Sequence, residues 1–268
     1  MYHPNAPISL VIIATLLRYI FFAGFTYLLF YILFRNKGIA YKIQAGFPKN
    51  SAIQSEIKYS LLTGVIFGLV IYVFLFSPVR QYTRLYRHIH DHSMVYYFFS
   101  IIAAIAIHDT YFYWTHRLMH WKKIFPYMHH IHHKSHNPTP WAAYAFHPLE
   151  ALIEIGVIPI IVFTIPMHGS AMSLFGLYMI VMNVMGHLGY EIYPKYFMKY
   201  RWLRWMNTST HHNMHHKYSK CNYGLYFNIW DQLMNTNHQK YKETFEAVKA
   251  KKVNVSEDIP ANAERSIS

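Results

Sequence analysis

Long apolar runs alternate along this chain with shorter polar, basic stretches. The first run extends from Ile8 to Phe34, enough to cross a bilayer even when tilted. Arg18 interrupts it and is expected to snorkel or to face a bundle interior. The run is too long for a signal peptide, and no basic segment precedes it. Residues 35–58 form a polar loop carrying Arg35, Lys37, Lys42, Lys49 and Lys58. A second run, from about Tyr59 to Phe76, stops at Ser77-Pro78, and a loop with Arg80, Arg84 and Arg87 follows. A third begins near Met94 and passes through Ile107 toward Trp114. Residues 116–148 are polar and rich in histidine. Two more apolar stretches, about 149–166 and 171–188, flank Met167-His168-Gly169-Ser170, a spacing that suits a tight helical hairpin. The rest of the chain is polar and basic.

The pattern predicts an all-α, polytopic membrane bundle of four to five membrane-associated spans, capped at one end by a helical, His-rich part. It divides the chain into membrane spans and loops at 1–94, a His-bearing region at 95–240, and a polar tail at 241–268 expected to be disordered. With five passes, the polar stretches 35–58, 116–148 and 189–268 fall on one side, with five, four and twelve Lys+Arg. The 77–93 loop opposite has three. The excess of positive charge places the His-rich side in the cytoplasm. A version in which 149–188 only dips into the bilayer keeps the same sidedness.

Composition supports this picture. Apolar residues make up 53% of the chain and charged residues 14%, so a water-facing surface all round is not needed. The formal charge of +13 invites a nucleic-acid partner, but no binding motif accompanies it, and membrane topology with anionic headgroups accounts for it. Cys221 is the single cysteine, which excludes an internal disulfide and any site built from several thiolates.

Histidine is the abundant metal-capable residue: 20 copies, 14 of them between His116 and His216. Their spacing is the informative part. His116 and His120 are four apart and share a helical face. His129, His132 and His133 stand at i, i+3 and i+4, and His212, His215 and His216 repeat that spacing. His187 ends the fifth span on the same side, with Asn183 one turn deeper on its face. One HxxxH pair alone is a weak signal, but two HxxHH triads beside it are a strong one. So many neutral imidazoles near a membrane are costly without a shared metal. Eight or nine exceed what one ion can use, so two ions are expected. Imidazole suits zinc, copper, iron and nickel. A zinc hydrolase would be expected to show HExxH, but Arg117 holds the Glu position of the first cluster. A redox-active pair, hence iron, suits a lipid-facing site whose substrate offers mostly C–H bonds.

From about His108 to Thr236 the chain resembles the fatty acid hydroxylase/sterol desaturase superfamily of membrane di-iron enzymes. The resemblance rests on the run from His108 to His120, the stretch HHIHHKSHNPTP from His129, His147-Pro148-Leu149-Glu150, Gly186 to Tyr190, HHNMHH from His211, and the run from Asn222 to Asp231. It implies metal ligands at His116, His120, His129, His132, His133, His187, His212, His215 and His216, the set reached by spacing. It further implies two non-haem Fe ions, O2 as co-substrate, a lipid substrate, and an external electron donor of cytochrome b5 or ferredoxin type. Hydroxylation and desaturation both fit, as do a bacterial inner membrane and the endoplasmic reticulum. A histidine-rich membrane metal-binding or transport protein is the alternative reading. His108 lies two turns before His116, too far to share its ion. His130 and His211 are alternates or supporting partners, His136 is unassigned, and His147 fits a turn into the next span. Asp109, Arg117, Glu150 and Asp231 are candidates for charge pairing around the site. Asn235-Thr236 stands where many relatives read Gly-Thr, a departure expected to affect a turn.

Overall fold

The apolar runs become helices whose larger apolar side chains point outward. In a computed structural model describing residues 6–36 and 38–251, α1 (Ile8–Tyr27) widens into a π-helical turn over Leu28–Leu33. The second, α2 (Asn50–Ile71), does the same over Tyr72–Phe76, so this span begins nine residues before the expected Tyr59. Ile13, Leu17, Phe21 and Phe25 of α1 are exposed, whereas Thr15, Tyr19 and Ala23 are buried. On α2 the buried side carries Glu56, Ser60, Thr63, Gly64, Phe67 and Gly68. Small and polar residues inside, apolar residues outside, is the pattern a bilayer solvent selects. The two helices meet closely: a methyl group at Gly68 would come within 2.8 Å of the Ile12 Cα.

Next comes α3 (Met94–Met119), which carries His116 on its last turn. Two four-residue helices follow, α4 (Phe125–Met128) and α5 (His130–His133). The expected fourth span is broken near Gly156 into α6 (Pro148–Ile155) and α7 (Val157–Thr164). The fifth, α8 (Gly169–Gly186), is continuous. Four helical segments are therefore long and apolar enough to cross a membrane: 8–33, 50–76, 94–119 and 169–186. The chain is an integral membrane protein with an all-α architecture.

Two short strands, β1 (Leu85–Tyr86) and β2 (Met167–His168), pair in parallel, and the Arg84 N–H donates to the Val162 carbonyl at 2.7 Å. The 77–93 loop and the α7–α8 connection thus share one end of the bundle, and the broken fourth segment, α6–α7, runs toward it from the histidine end. At the other end the Ile43 N–H donates to the Gly189 carbonyl at 3.0 Å, and Gln44 Nε2 donates to the His136 carbonyl at 2.7 Å. The three basic stretches meet there. Gly189 has φ +73° and lies against the Tyr31 hydroxyl, so both backbone and space call for glycine.

Above this end, α9 (Ser209–Tyr218) is buried from Ser209 to His216. Glu191 stabilises its start by accepting from the Thr210 N–H at 3.0 Å and the Thr210 hydroxyl at 2.7 Å. The short α10 (Ile229–Leu233) follows, then α11 (Tyr241–Ala250). This last helix corrects the expected disordered tail over its ten residues. Tyr241, Phe245 and Val248 are buried, the first two packing with Phe197, Met198 and Met214. The rest of that expected tail, 252–268, lies outside the described residues.

Candidate metal centre

The chain end of α3, the α4–α5 segment, the end of α8 and the buried α9 bring nine imidazoles into two adjoining nests. One nest holds His116, His120, His129, His133 and His215, and the other holds His132, His187, His212 and His216; within each, one ring nitrogen per residue lies within 4.8 Å of all the others. These are the nine residues singled out by spacing. Their allocation was not foreseen. In an HxxHH triad the i+3 residue lies about 60° to one side of the first and the i+4 residue about 40° to the other. The triads straddle the two nests accordingly. His129 and His133 serve one nest while His132 turns to the other; His212 and His216 serve the second while His215 crosses to the first.

The facing atoms are mostly Nε2. His116 and His129 approach at 3.0 Å, His120 and His215 at 3.1 Å, and His133 and His215 at 3.0 Å. In the second nest the spacings are 2.9 Å for His187–His212, 3.2 Å for His212–His216 and 3.3 Å for His132–His187. Tautomers decide what these contacts mean. The Nδ1 atoms of His116, His215 and His187 face the carbonyl oxygens of Tyr223 (2.8 Å), Cys221 (2.7 Å) and Asn183 (2.8 Å). A carbonyl only accepts, so each of these Nδ1 atoms carries the proton and each Nε2 presents a lone pair. His129 Nδ1 meets the Glu150 carboxyl group at 2.5 Å; with Glu150 ionised, as a cation in the nest favours, the proton sits on Nδ1 here too. The His116–His129 contact therefore opposes two lone pairs, an arrangement stable only around a cation. Imidazole nitrogens bound to one divalent metal at ~2.1 Å and at right angles stand about 3.0 Å apart. The residues fit metal ions on these grounds.

Protonation is no substitute for the cation. Burial, then the neighbouring imidazoles, hold His129, His132, His212 and His216 well below the ordinary histidine range. Burial lowers His187 to about 4, against the opposing effect of its Asn183 hydrogen bond. Neutral imidazole is the form that ligates.

Supporting residues hold the nests in place. Asp231 accepts from the backbone N–H groups of Tyr223 (2.8 Å) and Gly224 (2.7 Å), fixing the loop whose carbonyls orient His116 and His215. Asp109 accepts from Tyr226 N (2.8 Å) and Phe227 N (3.1 Å). Arg117 donates to the Tyr113 hydroxyl at 3.2 Å. Asn183 acts through its backbone carbonyl. The remaining histidines stand apart. His108 bonds the Tyr226 hydroxyl at 2.8 Å, His130 and His136 are exposed, and His211 faces Asn237 at 3.2 Å and Asp231 at 3.6 Å. His147 caps α6 by accepting from the Leu149 N–H at 3.3 Å. Asn235 has φ +54°, the left-handed conformation that glycine takes most readily and asparagine tolerates.

A cavity of about 630 Å³ lies between α1, α2, α6–α7 and α8. Phe67, Tyr144 and Met179 line both this chamber and a small inner one of about 20 Å³, walled by His108, Phe146, Glu154 and Asn183. Phe146 lies 5.1 Å from the His132 ring, so the inner chamber abuts the second nest. Glu154, 7% exposed, was missed from sequence, although two acids four apart in an apolar run, Glu150 and Glu154, were a usable signal.

Residues 101–236 match the fatty acid hydroxylase family model. A Delta(7)-sterol 5(6)-desaturase of Gibberella zeae is 32% identical over 189 residues, 69% of this chain and 56% of that protein. A second, of Aspergillus fumigatus, is 29% identical, covering 65% of this chain and 59% of its own length. Lathosterol oxidase of Homo sapiens is 26% identical over 229 residues, 84% of this chain and 73% of its own. The chain thus spans a little over half the length of the first two relatives. No solved structure matches it.

Proposed function

The chain belongs to the fatty acid hydroxylase family, and we propose on that premise that it is a membrane oxidoreductase that uses O2 and external electrons to hydroxylate or desaturate a lipid of sterol or fatty-acyl type. The observation that carries this is the pair of neutral imidazole nests, with lone pairs opposed, beside an apolar cavity. His116, His120, His129, His133 and His215 would hold one iron, and His132, His187, His212 and His216 the other. Bound there, two irons supply the redox chemistry needed to reduce O2 and oxidise a C–H bond.

The protein's own contributions follow from its geometry. Tyr223, Cys221, Asn183 and Glu150 hold the Nδ1 protons and so keep each Nε2 aimed inward. Phe146, Phe112 and Phe67 wall the approach and exclude water from it. The apolar chamber gives a lipid body a place beside the centre. The nests are closed and buried, so a transport path finds less support. The family likeness supports an external electron donor of cytochrome b5 or ferredoxin type. The excess of Lys and Arg in the loops at the histidine end supports a centre on the cytoplasmic side of a bacterial inner membrane or the endoplasmic reticulum.

Metal analysis of the detergent-purified protein tests this reading. About two irons per chain, with lipid-dependent O2 consumption under a reducing system, is the expected result. Stoichiometric zinc with no redox activity would refute it.

A further inference from the structure

The large chamber has one cationic residue in its wall. α1 contributes Pro7, Leu10, Val11, Ala14, Thr15 and Arg18 to the lining, and Arg18 is the one nearest the histidine end. Its guanidinium lies over the bare backbone of Gly176, with Nη1 3.0 Å from where a methyl group there would sit. The Tyr144 hydroxyl lies beside it. Among the described residues no carboxylate lies within ion-pair distance of it. The lining hydroxyls are otherwise engaged: Thr15 donates to the Val11 carbonyl at 2.8 Å and Ser173 to the Gly169 carbonyl at 3.1 Å. A guanidinium within a membrane span, without an acid partner and facing a cavity, is costly unless a ligand satisfies it.

We propose that Arg18 holds the polar, oxygen-bearing end of an amphipathic lipid, a carboxylate or a hydroxyl, while the lipid's apolar body fills the chamber toward Pro7 and Phe76. The orientation follows from where Arg18 stands. Arg18, Phe67, Tyr144 and Met179 form the inner end of the chamber, and the last three also line the small cavity against the second nest. The carbons next to the polar end therefore face the histidines, and the far end of the lipid points to the opposite end of the bundle. Arg18 is in this sense a specificity-determining residue.

The inference rests on the lipid-oxidising function proposed above, but its test needs no metal. The full chain in detergent is titrated with palmitate and cholesterol, and with hexadecane and cholestane, which share their apolar bodies without the oxygen. Arg18→Met should weaken binding of an oxygenated lipid by about tenfold or more and leave the oxygen-free counterparts unchanged. A loss confined to palmitate identifies an acidic end group, and one shared with cholesterol a hydroxyl-type acceptor. Gly176→Ala, which crowds the guanidinium but keeps its charge, should reproduce part of the loss and guards against misfolding of the first variant. Palmitate with a photoreactive group near its carboxyl should label the Phe146–Asn183 side, and one with the group at its far end the Pro7–Phe76 side. Unchanged binding, equal loss with and without the oxygen, or the reverse labelling pattern would overturn the assignment. An unaltered protein that binds iron and consumes O2 but does not prefer the oxygenated lipids refutes only the role of Arg18. Selective binding in a protein without redox activity refutes only the oxidoreductase reading.

Discussion

The two histidine nests differ in how firmly the protein holds them. In the first, four of five imidazoles have Nδ1 tied down: His116 and His215 to backbone carbonyls, His129 to Glu150, and His133 to the Ser219 hydroxyl at 3.1 Å. In the second, His187 is tied to Asn183, but Nδ1 of His132 and of His216 have no hydrogen-bond partner. Partners on Nδ1 fix the tautomer and ring orientation and raise ligand basicity. The first nest is therefore preorganised by the fold, and the second depends more on its ion. One family of residue and one spacing motif have produced two sites of unequal readiness.

Removing a ligand from either nest is the strongest challenge to that contrast. His215→Ala should empty the first nest and His212→Ala the second, each cutting turnover by more than about 100-fold, beyond the effect of a supporting residue. Metal content should fall from about two ions per chain to about one in His212→Ala. Equal loss of both ions in both variants would show that the nests load as one unit. Graded chelation of the unaltered protein should strip the second nest first, followed by metal analysis and by the spectrum of the ion that remains. Glu150→Gln should weaken the first nest about 10- to 100-fold and narrow the gap between the two. Asp231→Ala should act on the first nest through the Tyr223–Gly224 backbone, costing about 1–3 kcal/mol in thermal stability, because two buried N–H groups lose their acceptor.

Lys42 offers the smallest effect and a control outside both nests. Burial, then Lys251, lower its ammonium to about 8 from the usual 10.5. Between those pH values the unfolded chain binds the proton and the folded chain does not, so stability rises as pH increases from about 8 toward 10.5. The gain should reach at most about 3 kcal/mol, should vanish in Lys42→Met, and should leave metal content untouched, as a melting series against pH would record.

The sequence made the clustering of these nine imidazoles legible because side-chain spacing on a helix is a geometric fact. It could not show which imidazole went to which nest, since a face about 100° wide serves one ion or two equally well. Nor could it reveal the carbonyls of Tyr223, Cys221 and Asn183, because a backbone acceptor carries no residue signature. The long spans were legible from hydropathy, but the break near Gly156 was not, because apolar content is the same on both sides of it. Arg18 posed two alternatives, snorkelling or an interior position, and only tertiary packing against Gly176 and Tyr144 separates them. The helix at 241–250 was overlooked because its apolar residues are sparse. Yet Tyr241, Phe245 and Val248 at i, i+4 and i+7 were enough to dock it.

The crossing of the HxxHH triads also bears on how the protein is made. Taken in the order in which a ribosome synthesises them, the histidines go first to the first nest, then to both, and the second nest gains His187 before α9. Each nest is completed only by α9, the first through His215 and the second through His216. A nascent chain that has inserted all its long spans but not yet released α9 holds neither full set. Neither imidazole set is complete until the long spans have been made, and a product truncated before α9 lacks members of both nests.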